Sequence, residues 1–88
     1  MKQIKLSGRE QGVLRSIGYG NGSTGPEIQS HTQIDMEDLI DILNGLCEVG
    51  YVEFFPATER ITAEKFHETR VEMNPAYALQ LKESLRRN

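Results

Sequence analysis

The residues that could carry chemistry are few and scattered along this chain. "GNGSTG", Gly20 to Gly25, has the Gly-x-Gly-x-x-Gly spacing that cradles a pyrophosphate where a strand turns into a helix. Here it follows a stretch with helical spacing, and no strand-helix-strand unit surrounds it. A turn with positive φ at Asn21 and Gly22 is therefore the expected use of the glycines. His31 and His67 stand apart from each other and from the one cysteine, Cys47. Zinc asks for three or four spaced ligands and acyl transfer for a nucleophile beside its base, so neither is indicated. With no disulfide partner, Cys47 is expected to serve as a small buried hydrophobe. The acids of "DMED", residues 35–38, lack the glycine and closing glutamate of a calcium loop, but suit the positive end of a helix dipole. No enzyme, cofactor or metal is expected.

Charge is the strongest signal. From Ser16 to Glu59 there is no Lys or Arg, while Glu27, Asp35, Glu37, Asp38, Asp41, Glu48, Glu53 and Glu59 give a net −8. Residues 1–15 contribute +3 and residues 60–88 contribute +2, which leaves −3 for the chain. Basic charge thus sits only towards the two ends.

The elements that must position these groups follow from capping and periodicity. The chain has 88 residues, 38% hydrophobic and 26% charged, which suits a single domain spanning 1–88 with one small core. No apolar run approaches the ~20 residues of a membrane span and no secretory leader is evident, so a cytoplasmic location without membrane contact is expected. Ser7 and Glu10 have the spacing of a capping box, predicting a helix from about Gly8 to Ile17 with Val13, Leu14 and Ile17 inward, Leu6 folding in beside them, and Arg9 and Arg15 towards solvent. Thr24, Pro26 and Glu27 open a short second helix to about His31. Asp35 suits the N-cap of a third helix, whose Leu39, Ile42, Leu43, Leu46 and Val49 make one buried stripe and whose end falls at Gly50. "YVEFF" at 51–55 and "TRVEM" at 69–73 read as antiparallel strands, with Val52 and Phe54 inward and Glu53 outward, joined by a long loop at 57–68. Asn74 and Pro75 start a closing helix on which Ala78, Leu81 and Leu85 share a face. The fold class is α+β.

Three short helices, a third helix ended by glycine at the start of a strand, a hairpin and a closing helix make an order that resembles the winged helix-turn-helix. Over nearly the whole chain it is most similar to the bacterial multiple-antibiotic-resistance and PadR-type transcription regulators. "LCEVGYV" stands where those families have leucine, a variable pair, glycine and an aromatic or aliphatic strand start. "RVEMNPAYALQLKESL" is similar to their second wing strand followed by a Thr-Pro or Asn-Pro helix start. The resemblance implies three helices, a β-hairpin wing over about 51–73 and a C-terminal helix. It also implies that residues 25–31 form the first helix of the helix-turn-helix and that the helix after Asp35 is the recognition helix.

In DNA-binding members the early exposed positions of that helix are usually Ser, Thr, Arg or Lys. This chain has Asp35, Glu37, Asp38 and Asp41 there. Neutralising phosphates dominates DNA affinity, and acids near the backbone oppose it, so charge disfavours nucleic acid as a partner. The remaining route to DNA is the wing, where Arg60, Lys65, His67 and Arg70 are interleaved with Glu59, Glu64 and Glu68. Glu37, Asp41, Asn44 and Glu48 read either as a solvated face or as a functional acidic surface. Met36, Ile40, Leu43 and Cys47 form a second apolar row, which either lies under the closing helix or the wing loop through Ile61 and Phe66, or serves as a dimer or partner surface. The leading expectation is a non-catalytic module that contacts a protein partner in a regulatory assembly, through Glu37, Asp41, Glu48, Met36 and Ile40. The alternative is a transcription regulator, allowed as a homodimer, that touches phosphates through the wing and the basic termini.

Overall fold

The computed structural model describes residues 6–18 and 22–86. Four α-helices and a three-stranded antiparallel sheet follow in the order α1 (Gly8–Ile17), β1 (Ser23–Thr24), α2 (Gly25–Thr32), α3 (Met36–Glu48), β2 (Val52–Phe55), β3 (Arg70–Met73), a 3-10 turn (Pro75–Tyr77) and α4 (Ala78–Arg86). Among the described residues, no helix is long and apolar enough to cross a membrane.

The first two helices start as their capping boxes dictate. The Ser7 side chain accepts from the Glu10 N–H, and the Ser7 N–H donates to Glu10 Oε1 at 2.9 Å; Thr24 and Glu27 repeat the arrangement. Two of the orphan amides at each helix start are satisfied in this way. Asp35 occupies the N-cap of α3 but makes no side-chain cap hydrogen bond, so its contribution there is limited to the charge–dipole attraction. The turn between α2 and α3 is closed by Gln33, a non-glycine residue in the left-handed region at φ 61°.

The sheet order is β1-β3-β2. Val52 faces Met73 and Phe54 faces Val71, and all four are buried; Glu53 lies on the opposite, exposed face, as the alternation requires. The short strand β1 was not foreseen. Ser23 pairs with Val71 and Thr24 with Arg70, so the end of the glycine-rich stretch is an edge strand as well as a turn. Gly22 has φ +80°, as that turn predicts, and a Cβ there would come within 2.5 Å of the Val71 carbonyl oxygen, so glycine is needed on both counts. Asn21 lies outside the described residues.

The core joins all three layers of helix, sheet and loop. Val13, Leu14 and Ile17 of α1 pack with Ile28 of α2, Leu39, Leu43 and Leu46 of α3, the inward strand residues, and Leu81 and Leu85 of α4. Leu6 packs against this cluster, half-buried. Two further members, Ile61 and Phe66, come from the loop between β2 and β3. Val49 departs from the expected stripe: it is 56% exposed, because α3 ends at Glu48 and the chain turns away at Gly50 with φ +91°. Asn74 closes that turn, donating from Nδ2 to the Gly50 carbonyl at 2.7 Å while its Oδ1 accepts from the Ala76 N–H. Tyr77 covers the junction edge-on to Tyr51, with ring centroids 5.3 Å apart.

Candidate functional site

The third helix positions most of the candidate residues, and its circumference divides into three sectors. Leu39, Leu43 and Leu46 form the buried sector. At about 100° per residue, Met36, Ile40 and Cys47 project beside that stripe, with Asn44 beyond them on the same flank. On the far side lie Glu37, Asp38, Asp41, Gly45 and Glu48, all exposed.

The flank through Met36, Ile40 and Cys47 is half-buried and packed against the core. Its outer boundary is Asn44, which is only 6% exposed and does not belong to a solvated face. The Asn44 Oδ1 accepts from the Ile61 N–H at 2.7 Å, and its Nδ2 donates to the Ile61 carbonyl at 3.0 Å. One side-chain amide thereby satisfies both backbone groups of a buried loop residue, which would otherwise be desolvated without partners. The loop is fastened a second time where Phe66, 1% exposed, lies against Gly25 at the start of α2. A Cβ on Gly25 would come within 2.6 Å of the Phe66 carbonyl oxygen and 2.7 Å of its ring. Around the second fastening the Lys65 carbonyl accepts from the Glu68 and Thr69 amides, giving the loop its own turn. The segment 57–69 is therefore a strap held to α2 and α3, not a hairpin tip reaching into solvent.

The strap sets where the basic residues stand. Arg60, Lys65 and His67 are exposed on its outer side, and the His67 ring meets Phe66 edge-on at 5.7 Å. Arg70 lies on β3, paired with Glu72 at 3.5 Å on the outer face of the sheet. Arg9 of α1 reaches Asp38 at 3.3 Å, an exposed pair that brings one acid of α3 together with a cation from the N-terminal half. Arg15 donates to the Leu85 carbonyl at 2.8 Å and so ties α1 to the end of α4.

Two titrations are shifted. Glu27 is held below the ordinary glutamate value, first by the hydrogen bond from the Thr24 backbone N–H and then by the one from the Thr24 hydroxyl. Burial pushes the Cys47 thiol up, and the Glu53 carboxylate adds to the shift. A raised thiol pKa means little thiolate at neutral pH and weak nucleophilicity, which agrees with Cys47 acting as a packing residue. Among the described residues, no three His, Cys, Asp or Glu side chains converge as metal ligands would.

Asn44, like Val49, lies where sequence reasoning did not put it, and for Asn44 a signal was present. It stands four residues after Ile40 and three before Cys47, on the apolar side of α3, where a short amide is best explained by a buried partner. Gly45 carried a second signal. It is interior to α3, and an added Cβ would meet nothing within 4 Å, so no neighbour requires glycine there. Comparison with family models, with curated proteins and with solved structures finds no match to this chain.

Proposed function

We propose that this protein is a non-catalytic winged-helix module that contacts a protein partner through the open acidic face of α3. The winged-helix reading is supported by the helical order α1, α2, α3, by the short strand between α1 and α2, and by its place beside β3 in the β1-β3-β2 sheet. The protein-contact reading rests on one observation above all. The exposed sector of α3 carries Glu37, Asp38, Asp41 and Glu48 with no basic residue on the helix.

That face departs from what helix stability alone favours. Glu37 and Asp41 are like charges one turn apart, Glu48 is an acid at the negative end of the helix dipole, and Gly45 is an interior glycine without a steric reason. Met36 and Ile40 contribute less than an apolar interface centre would, since both pack against the core. The contact is thus chiefly electrostatic and polar, with Gly45 a place where a partner could come close to the helix backbone. A basic surface fits such a face, and electrostatic complementarity of this kind sets association rate and specificity.

The alternative, a DNA-binding regulator, has support in the exposed Arg60, Lys65 and His67 of the strap. The acids Glu59, Glu64 and Glu68 of the same segment are exposed as well, so its field is mixed. One experiment separates the readings. Tagged wild-type protein and a Glu37→Lys, Asp41→Lys double variant are used to capture proteins from the source cell, with a duplex DNA shift assay run in parallel. Capture by wild type that is lost in the variant supports the acidic face. Equal capture by both removes it, and wild-type affinity for random duplex far tighter than about 10⁻⁴ M at physiological salt promotes the regulator.

A further inference from the structure

We draw no further inference here: the strongest candidate, the shallow groove between the first turns of α1 and the end of α2, is walled by Gly8 and Gly12 beside Arg9 and His31, and a small-residue stripe of this kind carries nothing when no buried polar group or bound species in it shows what ligand it would take.

Discussion

The two flanks of α3 obey opposite rules although they belong to the same thirteen residues. On one flank the buried polar side chain finds its partners: Asn44 serves both the N–H and the carbonyl of Ile61, and Met36, Ile40 and Cys47 pack half-buried against the core. On the other, Glu37, Asp41 and Glu48 stand exposed, and Gly45 leaves the backbone uncovered. Glu37 and Asp38 suit the first turn of the helix and Asp38 pairs with Arg9, whereas Glu48 at the last turn and Gly45 in the interior run against helix preference. The proposed partner contact rests on that mismatch between local rule and observed residue.

The sharpest way to break this contrast is through the strap. Phe66→Ala should lower unfolding stability by about 3–5 kcal/mol, because a fully buried aromatic is removed and a cavity is left in the core beside Gly25. Urea denaturation followed by circular dichroism measures it; a loss below about 1 kcal/mol would mean that the strap is not part of the core. Asn44→Ala should cost about 1–3 kcal/mol by leaving the Ile61 N–H and carbonyl without partners. Faster amide exchange at Ile61 in the variant would locate the effect, whereas unchanged exchange there would disconnect Asn44 from the strap.

The open flank should answer with the other sign. Gly45→Ala is expected to raise stability by up to about 1 kcal/mol, since alanine is the better helix former and its methyl group enters open space. Thermal unfolding tests this, and a destabilised variant would show that the glycine has an internal role. The same substitution should weaken partner capture if a partner approaches the backbone there. The Glu37→Lys, Asp41→Lys pair should change stability least, within about 0.5 kcal/mol, because exposed charges contribute little.

Acid tests the capping box at the start of α2, where the Glu27 carboxylate accepts from the Thr24 N–H at 2.8 Å. Glu27 has its pKa lowered in the folded state, so it binds a proton more readily when unfolded. The stability it supplies is present above the unfolded-state value and is lost as pH falls through the folded-state value. Glu27→Gln should therefore flatten the acid limb of a stability-against-pH curve. Identical acid limbs for Glu27→Gln and wild type would remove the Thr24 capping box as a source of acid sensitivity.

Features that depend on neighbours along the chain are legible in the residues alone. The capping boxes at Ser7 and Thr24, the glycine that ends α3 and the alternation of Val52, Glu53 and Phe54 each encode an element through contacts a few residues apart, so their boundaries could be read directly. The net −8 between Ser16 and Glu59 was equally legible, because charge adds up whatever the fold. The rest depends on contacts between distant segments. That Ser23 and Thr24 form an edge strand depends on β3, some 47 residues further along. That Asn44 is buried and Val49 exposed depends on where the strap lies and where α3 ends, and helical periodicity cannot report either. Periodicity shows which residues share a face; only packing between distant segments settles which face meets the core, which side chain is tied to a loop, and which is left exposed.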